Sequence, residues 1–222
     1  IEIHSYGSHI FHTSLPEVWK FINRFTAFNG YQHKVLARHK GRTYFLPLGL
    51  ALVNAFFGVE LTPEELPEFM ADEAHSSAVF DAFFRGYTSK QWGRAPEDVD
   101  PSIIKRVPVR ATYDVNYFND YCQGIPSDGY NSIFERLLDH PNIKVRCDAG
   151  VRLQNGIIKV GADDLPGVPV YYSGPVDALF NYRLGVLPWR TLKFETEKLD
   201  IADYQGTSVV NYTEAEIPYT RI

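Results

Sequence analysis

Residues 83–93 read FFRGYTSKQWG, the densest cluster of aromatic and hydrogen-bonding side chains in a sequence of 222 residues. The cluster closes segment 48–90, whose apolar residues recur at helical spacing and which contains a capping-box pattern from Thr62 to Glu65, with Pro63 at a predicted helix start. We therefore predict a helical subdomain that ends in aromatic rings. Rings flanked by a hydroxyl and an amide suit a planar nucleobase, although aromatic residues at helical spacing more often belong to a core.

The residues before this subdomain predict a loop, a helix and a hairpin. Residues 1–13 alternate poorly between apolar and polar and are predicted to form a loop. A capping-box pattern from Ser14 to Glu17 then introduces apolar residues at helical spacing, which predicts a helix over 15–28. Alternating residues on both sides of a Lys-Gly turn predict a hairpin over 35–46.

The residues after the subdomain predict a mixture of strands and helices. Alternation over 107–113 predicts a strand with Arg106 and Arg110 on one face, and guanidinium groups are suited to diphosphate oxygens. Further along the chain we predict a helix over 129–138, a strand over 143–146, a hairpin at 155–156, a strand over 168–172 that leads into a helix start, and antiparallel sheet over 191–222.

Composition excludes several broad classes of protein. A net charge of -5, with 22 lysines and arginines against 27 acidic residues, disfavours general binding to nucleic acid. No apolar run approaches the roughly 20 residues that cross a bilayer, so no membrane span is predicted. Two cysteines, Cys122 and Cys147, are typical of reduced cytoplasmic thiols. His9 and His12 lack a third ligand at suitable spacing, so no metal site is predicted.

An ordered set of short motifs resembles bacterial UDP-galactopyranose mutases over nearly the whole chain. The set reads GSHIFHT, GYTSKQWG, RVPVR, NYF, GIP, GY, GPVD, YR, NYT and PYTR, at residues 7–13, 86–93, 106–110, 116–118, 124–126, 129–130, 174–177, 182–183, 211–213 and 218–221. One such motif could arise by chance, whereas the ordered set is specific to the family it resembles.

That resemblance implies a flavoenzyme that interconverts UDP-galactopyranose and UDP-galactofuranose without net redox change. The reaction would proceed through a covalent sugar adduct on reduced FAD, with the cofactor as nucleophile and the protein supplying position and electrostatics. The resemblance further implies a cytoplasmic enzyme that feeds galactofuranose into cell-wall glycans, with a homodimer as an additional expectation.

The resemblance also assigns roles to individual residues. The predicted catalytic residues are Arg106, Arg221 and His12. The predicted substrate contacts are Phe83, Phe84, Tyr87, Trp92, Arg106, Tyr117, Asn211 and Arg221. Among these, the aromatic residues of the helical subdomain would hold the uracil, with Trp92 at the start of a mobile loop, and the arginines and Tyr117 would contact the diphosphate. The predicted cofactor contacts are His9, His12 and Gly174.

The implied fold class is α/β in the sense of a mixed α+β chain, with part of a Rossmann-like FAD domain, an inserted helical subdomain and an antiparallel sheet. Residues 1–47 would belong to the FAD domain, 48–105 to a helical nucleotide-binding subdomain with its mobile loop, and 106–222 to a mixed-sheet substrate domain that returns to the FAD domain. The family's GxGxxG fingerprint would precede Ile1 and further flavin-site segments would follow Ile222, so the sequence is expected to be a fragment.

Two other functions stay open from the sequence. The chain could be a UDP-sugar-binding fragment without activity, which retained flavin colour would distinguish. A related flavoprotein oxidoreductase is the second alternative, and stoichiometric oxidation of a substrate without a furanose product would favour it.

Overall fold

A computed structural model describes residues 4, 6–99, 109–161, 163–164, 167 and 169–222 of the chain. It confirms a mixed α+β chain built of short helices and small sheets. The chain forms two compact units, the first made of Ile1–Ile133 with Phe194–Ile222 and the second of Phe134–Lys193. The predicted Rossmann-like domain and the predicted domain boundaries stay predictions.

The first unit holds most of the regular structure. Its elements in chain order are β1 (Phe11–Thr13), α1 (Pro16–Ile22), β2 (Val35–His39), β3 (Arg42–Leu46), α2 (Leu50–Phe57), α3 (Leu66–Ala71), α4 (Glu73–Phe80), a π-helical turn (Asp81–Arg85), α5 (Gly86–Trp92), a 3-10 turn (Pro96–Asp98), β4 (Cys122–Gly124), the first half of α6 (Tyr130–Leu138) and, near the end of the chain, a strand at Val209–Tyr212. The predicted hairpin, the helical subdomain and the helix over 129–138 are thereby confirmed.

Two small sheets organise this unit. Strand β1 pairs antiparallel with β4, placing His12 opposite Gln123, so the predicted loop over 1–13 is wrong for its last residues. Strand β2 pairs antiparallel with β3 and parallel with the strand at Val209–Tyr212. Residues 210–222 also fold back antiparallel, since Val210 and Ile222 exchange backbone hydrogen bonds of 2.8 and 3.1 Å.

The hydrophobic core lies between the β2–β3 hairpin and the helical subdomain. Leu50, Leu52 and Val53 of α2 are fully buried, and they pack in one cluster with Tyr44 of β3 and Phe83 of the π-helical turn. Burying a side chain of this size stabilises the fold by about 1.5–3 kcal/mol. The hairpin therefore fixes where the aromatic end of the helical subdomain lies.

Two capping boxes were predicted, and one of them is wrong. The Thr62 N–H donates to the Glu65 carboxylate at 2.8 Å and the Glu65 N–H donates to the Thr62 hydroxyl at 3.4 Å, although the helix begins only at Leu66. Helix α1, by contrast, has no side-chain cap, because the Ser14 hydroxyl donates to Asp120 instead. This helix ends at Ile22 and is shorter than predicted.

The predicted strand over 107–113 is wrong for its described residues. From Val109 onward the chain is irregular, and its only ladder contact is a bridge from Arg110 to Gly49. A strand needs a ladder along its length, whereas here two backbone hydrogen bonds join the segment to its neighbour, from the Arg110 N–H to the Leu48 carbonyl and from the Leu50 N–H to the Thr112 carbonyl. Arg106, with the shared face predicted for it, lies outside the described residues.

The second unit consists of a short meander and little else that is regular. It holds the end of α6, then β5 (Val151–Gln154), β6 (Ile157–Val160), β7 (Asp163–Asp164) and α7 (Val176–Leu179). The hairpin at 155–156 is confirmed, since β5 and β6 pair antiparallel across it. The strand predictions over 143–146 and, within its described residues, 168–172 are wrong, because neither segment pairs with a neighbour.

Residues 191–222 contain one strand, β8 (Val209–Tyr212). Antiparallel sheet was predicted over this range. The prediction is confirmed where residues 210–212 pair antiparallel with residues 220–222. It is wrong for residues 191–206, which form no strand, and for the pairing of β8 with β2, which is parallel. None of the helices that the structure describes has the length and apolar character needed to span a membrane.

Candidate functional site

The aromatic side chains of the π-helical turn differ in how deeply they are buried. Widened turns of this kind recur at functional sites because they displace side chains from the regular helical register. Phe83 is 5% exposed and its ring lies 5.1 Å from that of Tyr44, whereas Phe84 is half-buried and stands near-parallel to Phe80 at 6.3 Å. The structure thus favours the core interpretation for Phe83 and leaves part of Phe84 accessible.

Phe84 borders an apolar groove. The groove has a volume of about 190 Å³ and lies between the end of α4 and Val109. Its walls are Leu48, Met70, Ser76, Val79, Phe80, Phe84 and Val109. A groove with one hydroxyl among apolar side chains can take up a flat, largely apolar ring face.

Tyr87 and Arg221 form the centre of the site. Nη2 of Arg221 donates a 2.7 Å hydrogen bond to the Tyr87 hydroxyl, which brings α5 and the end of the chain together. Burial raises the pKa of Tyr87, against a smaller opposing effect from Arg221 and with a further increase from Tyr117. Tyr87, Tyr117 and Arg221 therefore lie within electrostatic reach of one another. We call them the diphosphate cluster, after the ligand that the resemblance predicts for Tyr117 and Arg221.

A lysine and a glycine hold the end of the chain against α5. Lys90 donates hydrogen bonds of 2.8 and 2.9 Å to the carbonyl oxygens of Tyr212 and Tyr219. Burial lowers the pKa of Lys90, with an opposing effect from nearby glutamates. At Gly86 a Cβ would lie 2.3 Å from the Thr213 oxygen, so glycine is required for this close approach. Both contacts place Arg221.

Tyr117 is placed by an arginine that sequence reasoning had considered for the diphosphate. The Arg110 guanidinium donates to the carbonyl oxygens of Asn116 at 2.7 Å and of Tyr117 at 3.0 Å. The Tyr117 N–H in turn donates to the His33 carbonyl at 2.9 Å. Arg110 thus fixes the loop that carries Tyr117, while the Tyr117 ring stays 41% exposed.

A second polar group surrounds His12. Its Nδ1 lies 2.5 Å from Asp120, and its ring stacks on Phe118 at 3.7 Å. Hydrogen bonds from Ser14 and from His12 hold the pKa of Asp120 below its usual range. The buried His33 ring lies 5.5 Å from both Tyr117 and Phe118, which links this group to the diphosphate cluster.

Sequence reasoning missed His33, Lys90 and Asp120. Burial, and secondarily His12, lowers the pKa of His33, so the imidazole is held neutral beside His12. No local pattern marks these residues, because each has a hydrogen-bond partner 90 or more positions away in sequence, namely Gln123 for His33, Tyr212 for Lys90 and His12 for Asp120. The available signal was the resemblance, because Lys90 lies within the motif at 86–93 and Asp120 lies two residues after the motif at 116–118.

The remaining predicted residues fall into three places. Trp92 is half-buried at the end of α5, five residues beyond Tyr87 on the same helix. Asn211 lies in β8 and forms a backbone bridge with Arg221. Gly174 belongs to the second unit, where a Cβ would lie 2.3 Å from the Tyr172 hydroxyl. The structure therefore brings Tyr87, Tyr117, Asn211 and Arg221 together.

Two polar groups bear on whether the described residues fit a flavin. Oδ1 of Asn211 is buried without a hydrogen-bond partner within the described part of the chain, so it is available to accept a hydrogen bond from a ligand or a water molecule. The exposed ring of His9 has no hydrogen-bond partner in that same part, since only its backbone is engaged, with His4 and Tyr130. These groups fit a heterocycle that carries N–H and carbonyl groups, which a flavin and a uracil both provide.

The described residues contain no group of three His, Cys, Asp or Glu side chains arranged to hold a metal ion. The cationic group beside the Tyr87 hydroxyl is the guanidinium of Arg221. Oxyanions are the ligands that such groups bind most strongly.

Comparison with known proteins places these residues in a family. The family model for UDP-galactopyranose mutase matches residues 82–222. The whole chain aligns at 38% identity with 60% of a Klebsiella pneumoniae protein named "Probable UDP-galactopyranose mutase", and at 35% with 63% of the dTDP-fucopyranose mutase of Escherichia coli. A UDP-galactopyranose mutase of Mycoplasma pneumoniae is 30% identical over 94% of the chain and 58% of its own length. The chain thus spans about three fifths of these relatives.

Proposed function

Because the chain belongs to the UDP-galactopyranose mutase family, we propose that the protein interconverts the pyranose and furanose forms of a nucleotide-linked hexose, UDP-galactose in the first instance. The observation that carries this proposal is the diphosphate cluster, in which the hydrogen bond from Arg221 to Tyr87 leaves most of the guanidinium available. The reaction class is an isomerisation, since the relatives are mutases.

Arg221 is the residue we assign to the diphosphate. A guanidinium carries five N–H donors in a planar fork. One nitrogen is used by Tyr87, and the side chain is exposed, so the others can donate to phosphate oxygens. As the bond from the sugar to the nucleotide breaks, negative charge grows on the departing diphosphate, and a guanidinium held in place by Tyr87 stabilises it without reorganisation.

Tyr87 and Tyr117 would act as neutral hydrogen-bond donors beside Arg221. Burial raises the pKa of Tyr87, so its hydroxyl keeps its proton over the whole physiological range. The exposed Tyr117 hydroxyl adds a donor from the opposite loop. We retain Arg106, which lies outside the described residues, as a second cation for the diphosphate.

We propose that the nucleobase of the substrate stacks on Phe84 and Trp92 rather than on Phe83. The half-buried Phe84 ring borders the apolar groove, and Trp92 ends the helix that carries Tyr87. Phe83 would support this surface from the core. A base that stacks on such rings gains about 1–3 kcal/mol.

The chemistry at the sugar would require reduced FAD, which supplies the nucleophile for the anomeric carbon when it is bound. We propose that the cofactor contacts His9, His12 and Asn211. The two histidines would contact it through their imidazole groups, and Asn211 through its side-chain oxygen, which has no hydrogen-bond partner among the described residues. Gly174 as a cofactor contact rests on the resemblance alone and stays a prediction. These residues would orient the cofactor and exclude water from its reacting edge.

A dTDP-linked substrate is the second candidate. The relative from Escherichia coli is named dTDP-fucopyranose mutase, and it aligns with the entire chain at 35% identity. Thymine differs from uracil by one methyl group, and an apolar groove gains little discrimination from a methyl group. The groove beside Phe84 is therefore compatible with either base.

Turnover of both sugars tests the proposal. The protein is incubated with FAD, dithionite and either UDP-galactopyranose or dTDP-fucopyranose, and the furanose product is resolved by liquid chromatography and NMR. A furanose product from either sugar supports the proposal and identifies the substrate. Saturable binding of UDP without product would favour the binding-fragment alternative. Oxidation of the substrate in proportion to an added electron acceptor, in a parallel incubation with oxidised FAD and no dithionite, would favour an oxidoreductase.

Binding is tested separately through Trp92. UDP is expected to quench tryptophan fluorescence in a saturable manner, and Trp92→Phe should abolish that change. Trp19 packs on Phe28 at 4.7 Å, and Trp189 is 77% exposed in the second unit. Quenching that persists in Trp92→Phe would contradict the assignment of Trp92 to the base.

A further inference from the structure

The side chain of His12 is held on two sides by residues to which sequence reasoning assigned no role. One ring face stacks on Phe118, with centroids 3.7 Å apart and planes inclined by 12°. The Nδ1 atom lies 2.5 Å from Oδ2 of Asp120. An imidazole restrained on a face and on one nitrogen has only the edge that carries Nε2 and the opposite face left for other contacts.

Asp120 is also restrained by a residue other than His12. The Ser14 hydroxyl donates to its other oxygen, Oδ1, at 2.5 Å, and the Tyr121 hydroxyl donates to the Ser14 carbonyl at 2.9 Å. The pairing of β1 with β4 brings these residues together, since Thr13 lies opposite Cys122 in the ladder. The carboxylate thus lies beside the β1–β4 pair, with one oxygen bound by Ser14 and the other by His12.

The chemistry of the His12–Asp120 pair determines which imidazole nitrogen of His12 carries the hydrogen. Hydrogen bonds from Ser14 and His12 hold the pKa of Asp120 below its usual range, so the side chain is ionised at neutral pH. An ionised carboxylate only accepts hydrogen bonds, and therefore Nδ1 of His12 must carry the hydrogen. In the neutral imidazole, Nε2 then holds the lone pair, and it has no hydrogen-bond partner in the described portion of the chain.

We propose that Asp120 is a positioning residue that locks His12 in the Nδ1–H tautomer, so that Nε2 faces the site as a hydrogen-bond acceptor. The group it would receive is an N–H or O–H donor on the cofactor or on the sugar. Ser14 assists by restraining the carboxylate, and Phe118 assists by fixing the plane of the ring. The consequence for turnover rests on the proposed function, whereas the tautomer does not.

The neighbouring imidazole does not compete for this role. Burial, and secondarily the neighbouring His12 side chain, lowers the pKa of His33, which keeps it neutral. Its Nδ1 lies 3.4 Å from the Tyr31 hydroxyl and 3.5 Å from the Ser208 hydroxyl, and its backbone N–H donates to Gln123. His33 is therefore held by other groups, and the accessible imidazole of the pair is that of His12.

Imidazole nitrogen NMR on the 222-residue chain tests the tautomer directly. Long-range ¹H–¹⁵N spectra at alkaline pH, where imidazoles are neutral, distinguish a protonated nitrogen from one with a lone pair. The His12 signals are assigned by their loss in His12→Gln. We expect the Nδ1–H tautomer in the wild type and a reversal to a majority of Nε2–H in Asp120→Asn, with no change in the matched control Asp139→Asn, an exposed carboxylate beyond α6.

An Nε2–H tautomer in the wild type would overturn the proposal, as would an Asp120→Asn spectrum that matches the wild type. If Asp120→Asn does not fold, the wild-type chain still decides the question. A hydrogen on Nδ1 that is protected from exchange with solvent supports the proposal, and a hydrogen on Nε2 overturns it. Because neither spectrum involves a nucleotide or a flavin, a failure of the proposed function would leave this result unchanged.

Discussion

Nη2 of Arg221 lies 2.7 Å from the Tyr87 hydroxyl, although the two residues are 134 positions apart in the sequence. The hydrogen bond joins the helix that carries the aromatic residues to the end of the chain that carries the cation. Lys90 makes the same connection one turn later, through the carbonyl oxygens of Tyr212 and Tyr219. The guanidinium is thus oriented before any ligand arrives, which lowers the entropic cost of binding.

Arg221→Lys should weaken UDP binding about tenfold, which corresponds to ~1.4 kcal/mol. Lysine keeps the charge, but it loses the planar fork that can bind Tyr87 and a phosphate oxygen together. Isothermal titration of the purified variants measures the change in Kd, and Arg190→Lys in the second unit serves as the control. An unchanged Kd in Arg221→Lys would remove Arg221 from the diphosphate site.

Gly86→Ala should destabilise the protein, against the usual preference of helices for alanine. Gly86 has an ordinary helical φ of -66°, so alanine would otherwise stabilise the helix by about 0.5–1 kcal/mol. The added Cβ would instead lie 2.3 Å from the Thr213 oxygen and 2.8 Å from the Ala215 nitrogen, both backbone atoms. We expect a net loss of about 1–3 kcal/mol in the free energy of unfolding.

Urea unfolding measures that loss, with Gly150→Ala as the matched control. A Cβ at Gly150 meets no atom within 4 Å, and its φ is not positive, so the substitution there should be neutral or stabilising. Equal stability of Gly86→Ala and the wild type would show that residues 213–215 do not press against α5. Weaker UDP binding in Gly86→Ala would follow from the displacement of Arg221.

Local patterns predicted the elements whose partners are close in sequence. The hairpin over 35–46 is confirmed because Lys40 and Gly41 both adopt positive φ, of 48° and 77°, as a tight two-residue turn requires. Helix periodicity succeeded over 48–90 for the same reason, since a helix satisfies its own backbone. The resemblance, in turn, predicted four residues that the structure brings together at one end of the first unit.

Predictions that depended on distant partners failed. Ser14 has the sequence context of a helix cap, yet its hydroxyl binds Asp120, which lies 106 positions later. Alternation over 107–113 is typical of a strand, but among its described residues the segment forms a single bridge, from Arg110 to Gly49, and no ladder. The parallel pairing of β8 with β2 could not be predicted either, because strand order is set by the packing of the whole unit.

The stability of the fold should fall as the pH is lowered from about 7 toward 5. Burial lowers the pKa of His33, with a smaller effect from His12, and burial also lowers that of His39, which Glu214 partly opposes. The unfolded chain therefore binds protons below the usual histidine pKa of 6.5 that the folded chain does not. The stabilisation is present above that pKa and is lost as the pH falls toward the folded value.

Replacing His33 by glutamine should flatten this dependence. Each linked proton changes the free energy of unfolding by at most about 1.4 kcal/mol per pH unit. His33→Gln removes one such proton, while its amide can still contact the Tyr31 and Ser208 hydroxyls. Urea unfolding at a series of pH values measures the slope, and the exposed His140→Gln is the control. A slope in His33→Gln equal to that of the wild type would contradict a buried neutral His33.

The last prediction separates two roles for Arg110. If Arg110 acts by placing Tyr117, Arg110→Gln should weaken UDP binding about tenfold (~1.4 kcal/mol) in the wild type and less than about twofold in a Tyr117→Phe background. The reason is that its guanidinium already donates to the carbonyl oxygens of Asn116 and Tyr117. A direct phosphate ligand would instead show the full loss in both backgrounds.

Salt dependence provides an independent measure of the same distinction. Neutralising a residue that contacts phosphate lowers the dependence of the UDP Kd on salt, because one charge interaction is lost, whereas a residue bound to backbone carbonyls leaves that dependence nearly intact. Arg221→Gln is expected to lower it and Arg110→Gln to preserve it, with Arg190→Gln as the control. Two results together would identify Arg110 as a diphosphate ligand: a reduced salt dependence in Arg110→Gln, and the full tenfold loss of UDP binding in the Tyr117→Phe background. Tyr117 would then be positioned by its hydrogen bond to His33 alone.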